Sequence, residues 1–283
     1  MIRSKIAAVT VLYNPDLIVI KNIQSYITQI DTLYIIDNST NHNEEIETEL
    51  SSLSNVSYSR MPRNLGIATA LNIACKQALK DGYSWILTMD QDSFVSETML
   101  GTLYSFTSND DIAIISPYHA SKFYPLSSEN NTISERTTVM TSGNLLNLHL
   151  YSKIGPFDDK LFIDFVDHDY CLRARQHGYK IIQINQAVLK HNLGNLRQYK
   201  LTNLIFHSTN HPPIRKYYIF RNRAYIIQKY RDDFPIFCKR ELHRFLTDII
   251  VVIFFENQKI EKLKMMYLGL KDFFQGKAGA FNA

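Results

Sequence analysis

Asp90-Gln91-Asp92 follows the apolar run WILTM. Two carboxylates one residue apart at a strand end can share a divalent cation, and their hard oxygens suit Mg2+ or Mn2+. The same residues also make a turn, with Asp92 or Ser93 capping a helix from Ser96, and the spacing leaves both readings open. Asp37-Asn38-Ser39 ends another apolar run. A carboxylate there can accept from the imide N–H of a uracil or thymine, or close an Asx-turn. Arg63-Asn64-Leu65-Gly66 precedes a helical stretch, so Asn64 and Gly66 either leave backbone N–H groups open to an anion or cap the helix. In FIDFVDHDYCLRAR, Asp164, Asp167 and Asp169 crowd a helix start, where the dipole favours acids. Asp169 and Arg173 are spaced to pair, and one of the three acids can serve as general base for a hydroxyl nucleophile. His191 follows a strand in KHNLG and is either structural or a further ligand beside Asp90 or Asp92.

These residues need a frame, and the first 120 residues supply one by alternating two periods. Short apolar runs at Ile6–Tyr13, Leu33–Ile36, Val56–Tyr58, Trp85–Met89 and Ile112–Ser116 read as strands. Helical patterns cover Leu17–Ile30, Glu44–Leu53, Gly66–Lys80 and Ser96–Phe106. Strands alternating with helices imply an α/β fold with a mostly parallel sheet covered by helices, and such sheets bind ligands at the carboxyl ends of their strands. Asp37 and Asp90 both fall at such ends. Residues 121–135 read as a polar loop, Thr137–Leu148 as a strand around Ser142-Gly143-Asn144, Phe162–His177 as a helix and Lys180–Val188 as a strand. From residue 213 three aromatic, basic helical patterns follow, at Arg215–Tyr230, Lys239–Phe255 and Lys259–Phe274. The expected division is 1–212 and 213–283.

Several classes are excluded or disfavoured. The chain has 283 residues, 45 % hydrophobic and 20 % charged, which suits a globular protein. There is no GxGxxG and no GxxxxGK, against a dinucleotide site or P-loop. The three cysteines are far apart and show neither metal nor disulfide spacing, which fits a reducing cytoplasm. No apolar run approaches the ~20 residues that span a bilayer, and no signal peptide is expected. The net charge of +4 is uneven: residues 215–283 carry 14 Lys/Arg against 7 Asp/Glu, a net of +7, and the remainder is −3. A basic aromatic tail can serve nucleic acid, an anionic membrane or an anionic substrate. The acidic body argues against nucleic acid, and a membrane surface fits the apolar helices better. Self-association through the same helices is the alternative.

Taken in order, residues 5 to about 195 resemble the inverting glycosyltransferases of family 2, which have the GT-A fold. VTVLYNP resembles that family's opening strand, NLGIATALN its helix entry, Asp90-Gln91-Asp92 its DxD, Ser142-Gly143 its acceptor-side glycine strand and FVDHDYCLRARQHGYKI its acidic segment. Val166 stands where the family has a Glu, a departure. The resemblance implies Asp167 as catalytic base, with Asp169 the following acid. It implies Asp37, Asn64, Gly66, Asp90 and Arg173 on the donor, and Asp90, Asp92 and His191 on Mg2+ or Mn2+. Gly143, Asn144, Asp169 and Arg221 then lie on the acceptor side. DQDS, IDFVDHDYCLRAR, HNLG and YYIFRNR most resemble bacterial rhamnosyltransferases, which use dTDP-L-rhamnose to build O-antigen or other surface polysaccharide. The charge of the tail and the lack of an expected spanning helix point to a lipid-linked glycan acceptor held beside Arg221 and Arg223, at the inner face of the cell membrane. A UDP-sugar donor is the alternative within the family, and a nucleic-acid-binding module the alternative outside it.

Overall fold

The apolar run from Ile6 forms β1 (Ile6–Leu12), in which every residue but Val11 is buried. A strand buried on both faces belongs at the centre of a covered sheet. The computed structural model describes residues 5–120, 132–191, 197–201 and 204–281, and at 190, 191, 201, 204 and 205 the backbone only. After β1 come α1 (Ile18–Gln24), β2 (Thr32–Asp37), α2 (Glu44–Ser51), β3 (Val56–Arg60), α3 (Ile67–Lys80), β4 (Trp85–Asp90), β5 (Ser93–Val95) and α4 (Met99–Tyr104). Then follow β6 (Ile112–Ala120), β7 (Ile133–Glu135), β8 (Asn144–Asn147), α5 (Leu148–Ile154), α6 (Val166–Gln176) and β9 (Lys180–His191). The antiparallel pair β10 (Arg197–Leu201) and β11 (Leu204–Ser208) precedes α7 (Pro213–Tyr230), α8 (Pro235–Phe255) and α9 (Lys259–Phe274).

The chain forms two compact units, Met1–Asp158 with Asp167–Asn192, and Asp159–Val166 with Leu193–Ala283. In the first, the strand order is β3-β2-β1-β4-β8-β6-β9-β5, with β7 also on β9. The β3-β2-β1-β4 portion is parallel, as the alternating pattern requires. Beyond β4 the sheet is mixed, because β8 runs antiparallel to both β4 and β6. Its apolar core joins both portions, from Leu12 and Leu33 to Leu87, Ile115 and Leu189. In the second unit, Phe220 of α7, Val252 of α8 and Met266 of α9 form a separate core.

Local structure departs from the sequence pattern where tertiary pairing or backbone strain intervenes. The strand expected over Thr137–Leu148 is confined to Asn144–Asn147, because the Asn147 side chain accepts from Leu150 N–H at 3.1 Å and starts α5. The helix expected from Ser96 begins at Met99, after Ser93–Val95 pairs with β9. The helix expected from Phe162 begins at Val166, since Phe162, Asp164 and Phe165 hold φ of 64°, 62° and 66°. Of the polar stretch 121–135, Ile133–Glu135 is strand β7, and residues 121–131 lie outside the described residues.

Three glycines give opposite expectations. A Cβ on Gly269 of α9 would overlap the Tyr217 carbonyl oxygen of α7. A Cβ on Gly143 would lie 2.8 Å from Pro117 Cγ and 2.9 Å from Leu189 Cδ2, at a φ of +79°. Gly101 of α4 has open space around it. Gly269→Ala and Gly143→Ala should each destabilise the fold by about 1–3 kcal/mol. Gly101→Ala should instead stabilise by roughly 0.5–1 kcal/mol, as replacement of a helical glycine does. Urea unfolding of the three variants checks this; equal midpoints would contradict the packing described.

Candidate active site

The register of β1 brings the two strand-end acids to one edge. Leu12 pairs with Asp37 on one side, and Val11 with Asp90 on the other. With one strand between them, the two backbones are about 10 Å apart, twice the spacing of neighbouring strands.

The loop after β1 ties both acid segments down. Tyr13 N–H donates to Gln91 Oε1 at 2.8 Å, and Gln91 Nε2 donates back to the Tyr13 carbonyl at 3.3 Å. Asn14, at φ 44°, donates its N–H to Ser39 Oγ at 2.8 Å and accepts from the N–H groups of Thr40 and Asn41. Sequence reasoning missed Asn14, Gln91 and Ser142 as positioning residues. Only the placement of Asn14 before a proline and of Gln91 between two acids could have singled out the first two.

Asp37 is buried, and both its oxygens are engaged. Oδ1 accepts from Ser39 N–H at 2.9 Å, the Asx-turn contact, and Oδ2 accepts from Tyr58 Oη at 2.8 Å. Each carboxylate oxygen has a second lone pair, so the group can still accept. Burial, and then the Asp37 carboxylate, push the Tyr58 hydroxyl well above its ordinary value, so Tyr58 stays a donor. Asn38 bridges to the next segment, donating to the Gly66 carbonyl at 3.0 Å and accepting from Leu65 N–H. Asn64 Oδ1 accepts from Gly66 N–H at 2.9 Å, and Gly66, at φ 83°, opens α3. Asn64 therefore closes the turn before α3, and no side chain caps that helix.

Asp90 N–H donates to Ser142 Oγ at 3.1 Å, and Ser142 Oγ shares a 2.8 Å hydrogen bond with Ser93. Gly143 N–H donates to the Thr88 carbonyl at 2.7 Å, so Ser142-Gly143-Asn144 braces the DxD from beneath. Asp92 is exposed. Ser93 pairs with His191 across the β5–β9 ladder, which brings the His191 backbone beside the residue that follows Asp92. The His191 side chain and Asn192, Leu193 and Gly194 of the same motif lie outside the described residues. Among the described residues, no three His, Cys, Asp or Glu side chains are grouped as a metal site. The donor set nevertheless fits a hard divalent cation, given Asp92 in solvent, Asp90 two residues earlier and His191 in register.

The acids of α6 divide into two kinds. Asp169 is buried, and its Oδ2 accepts from Arg173 Nε at 2.8 Å. Arg173 also donates to the carbonyls of Ile154, Gly155 and Pro156 at 3.0, 3.3 and 2.7 Å. The structure thus brings Arg173 to the end of α5 and not to the strand-end acids. Asp167 instead lines a cavity of about 20 Å³, room for one water, with Thr88, Thr141, Asn144 and Tyr170. Thr88 precedes Asp90 by two residues, so this cavity reaches the DxD strand. Burial acts to raise the Asp167 carboxyl. The His168 ring, by charge and a 2.8 Å hydrogen bond, and the His168 backbone N–H outweigh it, so the group is held below the ordinary carboxylate range.

Arg221 belongs to the second unit and has no exposed surface. Its guanidinium donates to the carbonyls of Gly279, Lys160 and Leu161 and lies over the rings of Tyr217 and Tyr218. Neighbouring Asn222 donates to the carbonyls of Leu161, Ile163 and Asp164 at 2.8, 2.7 and 3.0 Å. Arg223 pairs with Glu241 and Asp248. The basic motif read as facing an acceptor is therefore an internal clamp on residues 160–164.

The mixed sheet flanked by helices, with acids at the carboxyl ends of its parallel strands, has the GT-A architecture. The chain belongs to glycosyl transferase family 2, which matches residues 8–176. Over 299 residues, 98 % of each chain, it is 27 % identical to the dTDP-rhamnosyl transferase RfbF of Shigella flexneri. Among solved structures, it is similar to TarS 1–349 of S. aureus in complex with UDP-GlcNAc, with TM-score 0.61 and 14 % identity over 96 % of this chain and 81 % of that one. GalNAc-T7 with UDP, GalNAc and Mn2+ aligns with TM-score 0.59 and 14 % identity, over 77 % of this chain and 47 % of that longer one.

Two outcomes distinguish the acids of α6. Asp169→Ala leaves the Arg173 guanidinium without its carboxylate and should destabilise the fold by about 3 kcal/mol, whereas Asp167→Asn should change it by less than about 1 kcal/mol. Denaturant unfolding checks both. Because the Asp167 carboxyl is held low, its charged form persists as pH falls, and its contribution to stability is lost only as pH drops through that depressed value. His168→Phe should therefore shift the acid limb of the stability profile to higher pH; an unmoved limb would contradict the pairing.

Proposed function

We propose that the protein transfers L-rhamnose from dTDP-L-rhamnose to a glycan acceptor, with inversion, in the synthesis of O-antigen or another cell-surface polysaccharide. The observation that carries the donor assignment is the 27 % identity to a dTDP-rhamnosyl transferase across 98 % of both chains. In this reading Asp37 receives the thymine imide, and the turn of Asn64 and Gly66 with the open start of α3 faces the phosphates. Asp90, Asp92 and His191 would hold a Mg2+ or Mn2+ ion. When bound, that ion neutralises charge on the leaving diphosphate.

Asp167 is the general base. Its exposed fraction of 20 % contrasts with 1 % for Asp169, whose carboxylate is committed to Arg173. Asp167 takes the proton of the acceptor hydroxyl as that oxygen attacks the anomeric carbon opposite the diphosphate, and a single displacement inverts the centre. A base held ionised across the neutral range suits this task. Gly143 and Asn144 shape the acceptor side. Asp169, Arg173 and Arg221 act by holding α6 and the segment before it, since their charged groups are buried against protein partners. Functionally, residues 1–212 carry the chemistry and 213–283 serve a lipid-linked acceptor at the inner membrane face. Among the tail's cations, the exposed Lys239, Lys264 and Lys271 support that division. No helix among the described residues is long and apolar enough to cross a membrane.

A UDP-sugar donor is the second reading, favoured by the UDP-GlcNAc complex of the structurally similar TarS. Nucleotide release from dTDP-rhamnose, UDP-glucose, UDP-galactose, UDP-GlcNAc and GDP-mannose separates the two. The expected result is turnover of dTDP-rhamnose alone, abolished by EDTA and restored by Mg2+ or Mn2+; turnover of a UDP-sugar would replace the rhamnose assignment. Asp167→Asn should lose at least about a thousandfold in turnover while dTDP affinity changes by less than about threefold. A large loss of dTDP affinity would make Asp167 a donor ligand instead.

A further inference from the structure

Helix α9 carries an outward stripe of alternating chemistry. Ile260, Tyr267 and Phe274 recur every seven residues and are 80 %, 65 % and 82 % exposed. Lys264 and Lys271 fall between them, also exposed and seven residues apart. At about 100° per residue all five share one face, spanning roughly 80° of the helix circumference. The acids of α9 lie elsewhere. Glu261 is about 100° round from Ile260, and Asp272 is buried on Tyr217 and Lys277.

Helix α8 repeats the pattern. Leu242, Leu246, Ile253 and Phe254 are 57 %, 62 %, 42 % and 60 % exposed, with exposed Lys239 and His243 on the same side. Its acids, Glu241 and Asp248, point to Arg223. Both outward faces are thus apolar and cationic, without a carboxylate.

We propose that the outward faces of α8 and α9 dock on an anionic lipid surface, with Ile260, Tyr267 and Phe274 entering the headgroup boundary and Lys264 and Lys271 meeting lipid phosphates. The proposal deepens the membrane part of the proposed function and rests on it, but does not depend on the donor assignment. Charge complementarity selects this occupant. Lysines set among apolar residues can lay their stems along the acyl boundary and raise their ammonium groups to anionic headgroups. A second copy fits less well. Pairing α9 with itself in parallel opposes each lysine to its own equivalent, and antiparallel pairing about Tyr267 brings Lys264 close to Lys271.

The test is co-sedimentation of the full chain with phosphatidylcholine vesicles, with and without phosphatidylglycerol, at low and high salt and without donor. The expected result is binding to the anionic vesicles only, weakened by salt. Binding should fall at least about tenfold in the triple variant Ile260→Ser, Tyr267→Ser, Phe274→Ser, and again in Lys264→Glu, Lys271→Glu. All five side chains are exposed, so thermal unfolding and dTDP binding should match the parent. Equal sedimentation of parent and variants would overturn the proposal. So would a dimer in solution that the same substitutions dissociate, which would assign the faces to a second copy. Intact vesicle binding with no turnover of any nucleotide-sugar would remove the enzyme assignment and leave this surface standing.

Discussion

The candidate site depends on the pairing of β1 with a parallel strand on each side. Because Leu12 is in register with Asp37 and Val11 with Asp90, two acids distant in sequence end at one edge. Parallel strands require crossover connections, and here α1, α2 and α3 intervene. The loops carrying Asp37, Asn64 and Asp92 consequently fall at the carboxyl edge, where a covered sheet leaves backbone groups open to a ligand. Asn14 and Gln91 then convert strand register into loop geometry. Each links the end of β1 to one acid segment with neutral hydrogen bonds.

A second constraint acts on residues 162–165. Left-handed backbone at three positions that are not glycine is costly and persists only where the surroundings over-determine it. Here Arg221 and Asn222 donate to the carbonyls of Lys160, Leu161, Ile163 and Asp164, and Arg215 pairs with the Asp164 carboxylate at 3.0 Å. The segment runs directly into α6, whose second residue is Asp167. Within α6, Asp169 and Arg173 fasten the helix to the carbonyls that end α5. Two carboxylates two residues apart thus acquire different surroundings, Asp167 beside His168 and Asp169 buried on Arg173.

Much of the first 120 residues was legible, because buried parallel strands announce themselves as short β-branched runs ending in Asp or Asn. β1, β2, β4 and α3 lie close to their expected positions for that reason. What the local pattern could not carry was pairing at a distance. Ser93–Val95 is a strand because Leu189–His191 lies beside it, and Asn147 starts a helix inside an apolar run. The basic tail was harder still. Its composition reads as a charged surface, yet Lys216, Arg221, Arg223 and Lys262 are buried against Glu256, Glu241, Asp248 and backbone carbonyls. A charge count cannot separate cations that neutralise an interior from those, such as Lys264 and Lys271, that face outward. Arg221, read as an acceptor contact, was on the wrong side of that distinction, while Asp37 and Asp90 were placed correctly at strand ends because their position follows from sheet topology.

We propose that the carboxyl edge of β1 seats a nucleotide diphosphate with its cation. A crystal structure with dTDP and Mn2+ tests it most directly, because manganese is located by its own anomalous scattering. The expected result is a manganese peak beside Asp90, Asp92 and His191, with the thymine imide against Asp37. A manganese peak remote from Asp90 and Asp92, or a thymine seated away from Asp37, would contradict it.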